Sequence, residues 1–142
     1  MSVVLVDTNI LMYAHDSDAG PKRERSIQSI RPLWEAETGR LSVQVLQEFY
    51  VNVTRKLATP VATATAREIV NTYGSWVREA ITTDTIVRAT HIAEMAQISF
   101  RDALIVASAE QAGAAQIYTE DLNDGQTIAG ILIVNPLAQR LA

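Results

Sequence analysis

The sequence predicts an α/β domain of three layers, in which helices cover both faces of a mostly parallel, about five-stranded sheet. The prediction rests on the alternation of short apolar runs with longer segments of helical periodicity along the 142 residues. That alternation is typical of a parallel sheet whose strands are joined by crossover helices. By its length the chain is expected to form one domain, residues 1–142. A domain of this size buries enough core to be stable without a disulfide or a structural metal.

Five strands and six helices are predicted. The strands cover residues 3–6, 40–42, 78–81, 116–118 and 131–134. The helices cover residues 10–14, 23–38, 43–57, 64–73, 84–97 and 101–112. Pro60 lies beyond the third helix, Thr83 can cap the fifth, and Gly113 follows the sixth at the position where helices favour glycine.

The composition favours a soluble protein of the reducing cytoplasm. The chain has no cysteine, which excludes disulfides, zinc–thiolate sites and thiol nucleophiles. Its longest apolar runs, 103–107 and 131–134, are far shorter than the ~20 residues of a membrane span. Residues 1–2 lead directly into a strand rather than into a signal peptide. We therefore expect no membrane association.

The net charge of −4 argues at first against a nucleic-acid partner, because Lys and Arg supply most nonspecific affinity for phosphates. However, four carboxylates that could face bound cations are enough to explain that charge, and several bases are clustered. The clustered bases are Lys22, Arg23, Arg25 and Arg31. Taken alone, this basic run is more typical of a solvated helix face.

Two aspartates end predicted strands at the sheet edge where open α/β folds bind ligands. Asp7 follows the first strand, and Asp121 follows strand 116–118 with Thr119 available to orient a ligand or water by its hydroxyl. Both have simpler explanations: Asp7 can cap the next helix, and Asp121 lies in a turn-rich segment. In that segment Asn123-Asp124-Gly125 is turn chemistry, and Asp124 is expected to be structural.

Two further acids lie on predicted helices. Ser99 to Asp102 has the spacing of a capping box, yet helical periodicity places Asp102 on the same face as Ile105 and Val106. A carboxylate directed toward apolar surroundings needs a partner, because an unpaired buried charge is costly. Glu48, in contrast, shares the polar face of its helix with Gln44, so periodicity alone predicts a surface residue.

Several chemistries find no support in the sequence. His15 and His91 have no metal-ligand spacing, and no serine lies in a nucleophile elbow. The six scattered glycines form neither a phosphate-binding loop nor a dinucleotide fingerprint. Nucleotide-dependent functions are therefore disfavoured.

Four acidic segments, taken in order, resemble the signatures of PIN-domain ribonucleases, most closely those of VapC-type toxins of bacterial toxin–antitoxin pairs. The segments are Asp7-Thr8-Asn9-Ile10-Leu11, Ser42 to Phe49, Phe100 to Ala107 and Tyr118 to Leu122. The resemblance covers essentially the whole chain and implies a single PIN-like domain. It also implies a site role for Glu48, since the polar face of that helix turns toward the acidic cluster in such domains.

The resemblance implies a metal-dependent endoribonuclease with bound Mg²⁺ or Mn²⁺. Asp7 and Asp102 would be the principal ligands, Asp121 would support them, and Glu48 would orient or deprotonate the attacking water. Asn9 and Thr119 would position water and the scissile phosphate. The choice of RNA over DNA, an antitoxin partner and a homodimer come from the resemblance alone.

One departure from the resemblance is Arg101, because an aromatic residue commonly precedes the acidic aspartate. We expect this arginine to alter substrate contacts and to leave the metal ligands untouched.

The alternatives belong to other classes. A haloacid dehalogenase-type phosphatase needs a second acid two residues after the first, where this chain has Asn9. A phospho-acceptor receiver module needs a lysine at the end of its last strand, and segment 131–136 has none. A stand-alone PIN nuclease without an antitoxin and a non-catalytic PIN-like scaffold stay open.

Overall fold

The structure is a computed structural model that describes residues 2–138. In this part of the chain, eleven α-helices and strands and one 3₁₀ turn follow one another. They are β1 (Val4–Val6), α1 (Thr8–Ala14), α2 (Pro21–Ala36), β2 (Gly39–Arg40), α3 (Val43–Arg55), α4 (Thr63–Tyr73), the 3₁₀ turn (Gly74–Trp76), α5 (Thr83–Ala96), α6 (Phe100–Gln111), β3 (Gln116–Tyr118), β4 (Thr127–Ile128) and β5 (Ile131–Val134).

The strands form one sheet in the order β2-β1-β3-β5-β4. β1 pairs in parallel with β2 and β3, β3 pairs in parallel with β5, and β4 adds an antiparallel edge. Val6 lies opposite Tyr118 in the β1–β3 register, and the Asp7 N–H donates to the Tyr118 carbonyl at 2.9 Å. The residues that follow β1 and β3 therefore leave the sheet side by side at its carboxyl edge.

Helices cover both faces of the sheet. Val4, Leu5 and Val6 are 3%, 1% and 0% exposed, and successive strand residues point to opposite faces, so neither face of β1 meets solvent. On α6 five consecutive residues, 105–109, are buried, as expected for a helix packed between the sheet and α5. The three-layer α/β/α prediction is confirmed.

Side-chain caps start the helices that bear on the site. Ser42 accepts the Val45 N–H at 3.2 Å and begins α3, and Ser99 accepts the Asp102 N–H at 3.1 Å and begins α6. The cap of α5 is Thr82, in a reciprocal box with Thr85, so the prediction of Thr83 was wrong by one residue.

Two strand predictions need correction. Residues 78–81 form no strand; they are a largely exposed connection between the 3₁₀ turn and the Thr82 cap. The edge strand β4 was not predicted, because it has two residues and is created by its turn. In that turn Ala129 and Gly130 have φ of 50° and 80°, the positive values of a two-residue hairpin.

No helix in residues 2–138 is long and apolar enough to cross a bilayer.

Candidate acidic site

Asp7 forms the centre of the site at the carboxyl end of β1. Its side chain is 3% exposed, and its two oxygens accept four hydrogen bonds. Oδ1 accepts from the Thr8 N–H at 2.7 Å and from Arg101 Nη2 at 2.8 Å. Oδ2 accepts from the Thr119 hydroxyl at 2.8 Å and from Arg101 Nη1 at 3.1 Å. The carboxylate is therefore held in one orientation.

Thr119 is the residue that orients Asp7 from the neighbouring strand. It is 0% exposed, and its single hydroxyl proton is donated to Asp7. The same oxygen accepts the Asp121 N–H at 3.1 Å and the Asn9 amide at 3.5 Å. Thr119 thus holds the Asp7 carboxylate and the Asp121 backbone, and its role in positioning water and the scissile phosphate stays a prediction.

Glu48 reaches the site from α3. Oε1 accepts the Thr8 hydroxyl at 2.6 Å and Arg101 Nη2 at 2.6 Å, and Oε2 accepts Arg101 Nε at 3.2 Å. Partial burial alone would raise the pKa of Glu48, but the hydrogen bonds from Arg101 and Thr8 outweigh it and lower the pKa. The polar face that periodicity assigned to solvent thus lies against the acidic cluster.

Asp102 and Asp121 complete the set of four acids. Asp102, in the first turn of α6, is 20% exposed and accepts Arg101 Nη1 at 3.1 Å. Asp121 is 51% exposed, and its Oδ2 lies 3.9 Å from the same nitrogen. Burial and the negative charge of Asp7 raise the pKa of Asp121.

Arg101 lies at the point where the four carboxylates meet. Its guanidinium donates to Asp7, Glu48 and Asp102 and, through Nη2, to the Thr8 hydroxyl at 3.0 Å. Burial alone would lower the pKa of this guanidinium. The hydrogen bonds to Glu48 and Asp7 outweigh burial, so the pKa lies above its ordinary value. The expectation that Arg101 leaves the acidic residues untouched was wrong, because the side chain turns into the cluster rather than toward solvent.

The donor set fits a hard divalent cation in its chemistry. It consists of carboxylate oxygens that already converge on one positive group, and Mg²⁺ and Mn²⁺ prefer oxygen ligands. However, the carboxylate oxygens are spaced to accept hydrogen bonds from the Arg101 guanidinium. Within residues 2–138 no three His, Cys, Asp or Glu side chains are close enough together to hold a metal ion. A metal would thus require Arg101 to leave and the carboxylates to move closer together.

A cavity of about 330 Å³ opens from the acids. Eight residues line it: Thr8, Asn9, Met12, Glu48, Asn52, Lys56, Arg101 and Asp121. Oδ1 of Asn9 is buried and has no hydrogen-bond partner in the described chain. Lys56 places a cation at the cavity.

A second polar group, which the sequence did not single out, lies beside Asp121. The Tyr13 hydroxyl donates to Glu120, Lys22 Nζ lies 3.1 Å from Glu120 Oε2, and the same ammonium lies 4.8 Å from the centre of the Tyr13 ring. Sequence reasoning also passed over Thr8 and Lys56 as parts of the site, and for Arg101 it predicted substrate contacts rather than bonds to the acids. For Arg101 a signal existed, since a cation in the first turn of a helix opposes the helix dipole.

The fold matches known proteins. The PIN domain family model matches residues 4–124. A toxin–antitoxin complex from Klebsiella pneumoniae contains a similar structure, with a TM-score of 0.68, 21% identity and coverage of 94% of this chain and 97% of that one.

Two further solved structures share the fold. The Mycobacterium tuberculosis toxin VapC20, described as cleaving the sarcin–ricin loop, has a TM-score of 0.63 and 22% identity over 83% of this chain and 89% of that one. VapBC2 from Rickettsia felis, bound to promoter DNA, has a TM-score of 0.60 and 18% identity over 92% and 96%. No curated protein sequence matches the chain.

The family model spans most of the chain, including β1, α6 and β3, whose ends bring Asp7, Asp102 and Thr119 together. On this match the chain belongs to the PIN domain family.

Proposed function

We propose that this protein is a Mg²⁺- or Mn²⁺-dependent endoribonuclease and the toxin of a toxin–antitoxin pair. The observation that supports it best is the convergence of Asp7, Glu48, Asp102 and Asp121 on one cation-binding point at the carboxyl edge of the sheet. Four acids from four separate segments have little reason to meet there unless a positive group is held between them.

The proposed roles follow from the contacts. Asp7 and Asp102 would hold the metal, which when bound would lower the pKa of water and neutralise charge on the phosphate. Thr119 keeps Asp7 in orientation, and Thr8 does the same for Glu48. Glu48, which is partly buried and lines the cavity, takes the proton of the attacking water.

Contacts with the substrate fall to the residues around the metal ligands. Asp121 supports the ligands from the open side, where 51% of its side chain is exposed. Lys56 meets a phosphate at the cavity, and the unsatisfied amide oxygen of Asn9 accepts a hydrogen bond from water or from a ribose hydroxyl. These contacts would place the scissile phosphate between the acids and Lys56.

The choice of RNA and of a partner is supported by the structural neighbours. One of them is a toxin described as cleaving an RNA loop, and another was solved as a toxin–antitoxin complex. By analogy we assign to this chain an RNA substrate and an antitoxin partner. A homodimeric state and a cytoplasmic location remain predictions from the sequence and its family resemblance.

The test is cleavage of a small RNA hairpin by chelator-stripped protein with and without added Mn²⁺. We expect cleavage only with the metal, and a rate at least ~100-fold lower for Asp102→Asn, about 2.7 kcal/mol of barrier. Asp84→Asn is the matched control, because Asp84 is also an acid in the first turn of a helix but lies on α5. Metal-independent cleavage, or equal rates for the two variants, would contradict the proposal.

One observation favours a second candidate, a non-catalytic PIN-like module. Arg101 already occupies the centre of the acids, and a permanent ion-pair cluster of this kind could serve structure alone. The absence of Mn²⁺ binding together with the absence of RNA cleavage would favour the module. Independently, an adjacent gene for a small DNA-binding protein would favour the toxin over a stand-alone nuclease.

A further inference from the structure

The guanidinium of Arg101 takes the position that a metal bound by Asp7 and Asp102 would need. Nη1 donates at 3.1 Å to Asp7 Oδ2 and at 3.1 Å to Asp102 Oδ1, so it lies between the two proposed ligands. The nearest oxygen of Asp121 is 3.9 Å away from the same atom. Mg²⁺ binds its oxygen ligands at about 2.0–2.1 Å, so Nη1 and a metal cannot share this space.

The hydrogen bonds of Arg101 are directed at the cluster. A guanidinium has five N–H donors in a rigid fork, and the side-chain bonds described for Arg101 all reach Asp7, Thr8, Glu48 or Asp102. In contrast, the Arg88 guanidinium donates both of its described side-chain hydrogen bonds to one carboxylate, that of Glu110 on the outer surface. The Arg101 fork thus holds together acids that would otherwise repel one another.

The same side chain is able to leave. Arg101 is 33% exposed, and its flexible stem starts from the first turn of α6. A rotation of that stem toward solvent would clear the site without moving the helix. One positive charge also leaves four carboxylates only partly neutralised, so a divalent ion has an electrostatic advantage over it.

We infer that Arg101 is a resident counter-ion of the acidic site, which keeps the carboxylates assembled before metal arrives and competes with the metal for them. The inference rests on the proposed metal-dependent function. If Arg101 has left the site in about one metal-free molecule in ten, the apparent Kd for metal is raised about tenfold. Removing the guanidinium should therefore tighten metal binding and weaken the metal-free fold.

The experiment is calorimetric titration of chelator-stripped protein with Mn²⁺, together with thermal unfolding with and without the ion. We expect Arg101→Met to bind Mn²⁺ about tenfold more tightly than wild type. Without metal, this variant should melt at a lower temperature than wild type. Saturating Mn²⁺ should raise its melting temperature by more than it raises that of wild type. Arg88→Met is the matched control, since it also removes a forked arginine–carboxylate pair, and its Kd for Mn²⁺ should equal that of wild type.

The outcomes separate this inference from the function beneath it. Equal or weaker Mn²⁺ binding by Arg101→Met, with wild type binding normally, overturns the inference and leaves the metal-dependent function intact. If neither protein binds millimolar Mn²⁺, both are overturned.

If Arg101→Met does not fold, Arg101→Lys decides. A lysine ammonium is a point charge without the fork, so we expect tighter Mn²⁺ binding than wild type by about threefold or more. An unchanged Kd overturns the inference.

Discussion

Asp7 shows how one carboxylate can serve a helix and a site together. It is the N-cap of α1 and accepts the Thr8 N–H, which is the structural role that its position after a strand predicts. Its remaining acceptor positions are used by Thr119 and Arg101. An ionised carboxylate has about four acceptor directions, so capping and site roles, which the sequence left as alternatives, do not compete here.

Glu48 shows what helical periodicity cannot decide. The polar face of α3 is polar as predicted, and three of its members, Gln44, Glu48 and Asn52, contact other groups of the protein. Gln44 donates to the Arg101 carbonyl at 3.3 Å, and Asn52 lies 3.4 Å from the Met12 sulfur. A polar face that meets solvent and one that lines a polar cavity have the same sequence pattern, which is why only the family resemblance indicated a site position for Glu48.

The change Glu48→Gln tests the role of this residue. It should leave the fold intact and keep most metal binding, because Asp7 and Asp102 remain. The rate of RNA cleavage should fall by about 10²–10⁴-fold, the usual effect of losing a general base. The measurement is single-turnover cleavage of an RNA hairpin at saturating Mn²⁺.

A matched variant controls for the loss of an ion pair. Glu110→Gln also removes a carboxylate bound by an arginine, but on the outer surface, and it should cleave at the wild-type rate. A Glu48→Gln rate within about threefold of wild type, far less than a general base contributes, would return Glu48 to a purely electrostatic role.

At the scale of elements, the helices and the inner strands could be predicted because their patterns are long or strongly apolar. Strands 116–118 and 131–134 were predicted with the observed bounds, and the six helices begin and end within three residues of their predicted bounds. Two-residue strands are too short for periodicity to define: the predicted strand 40–42 overlaps β2 only at Arg40, and β4 was missed. They are strands because a neighbour pairs with them.

The edge strand β2 depends on close packing between Gly39 and Trp76. Trp76 is 4% exposed, and its ring lies so near Gly39 that a Cβ there would be 2.4 Å from the Cη2 atom. Trp76 is also fixed by ring contacts with Trp34 and Tyr73 at 4.5 and 5.3 Å. The ring therefore has little freedom to withdraw.

We predict that Gly39→Ala lowers the free energy of unfolding by roughly 1–3 kcal/mol, the usual cost of overpacking a core. Urea denaturation measures it. Gly74→Ala is the control, because nothing lies within 4 Å of a Cβ at that helical position. That variant should be neutral or more stable by up to about 1 kcal/mol. Equal stability of the two variants would show that the Trp76 ring yields at no cost.

At the scale of the whole molecule, the site exists because the sheet order brings distant segments together. The sequence indicated that strands 3–6 and 116–118 end in acids, and parallel pairing makes both ends share one edge. It could not indicate that these two strands are direct neighbours, which is what allows Thr119 to hold Asp7. The position of Arg101 was beyond sequence reasoning for a similar reason, since a long flexible side chain is placed by its partners and not by its helix.

His15 contacts residues of two other helices, and its protonation links the stability of the whole molecule to pH. It follows α1, and its ring meets Phe49 of α3 edge-on at 5.5 Å and Tyr73 of α4 at 5.9 Å between centroids. Burial, and then the positive charge of Arg23 on α2, lower the pKa of His15 below its ordinary value of 6.5. The folded protein therefore holds this ring neutral at pH values at which the unfolded chain would protonate it.

The sign of the pH effect follows from that lowered pKa. Above the ordinary pKa of 6.5 the ring is neutral in both states and its contribution to stability is complete. As the pH falls from there toward the lowered pKa, only the unfolded chain gains the proton. The free energy of unfolding then decreases by at most about 1.4 kcal/mol per pH unit.

His15→Phe keeps an aromatic ring between Phe49 and Tyr73 and should reduce the loss of stability between pH 7 and pH 5.5, measured by urea unfolding. His91→Gln, at an exposed position on α5, should retain the wild-type loss. An unchanged loss in His15→Phe would show that His15 does not set the acid sensitivity of the fold.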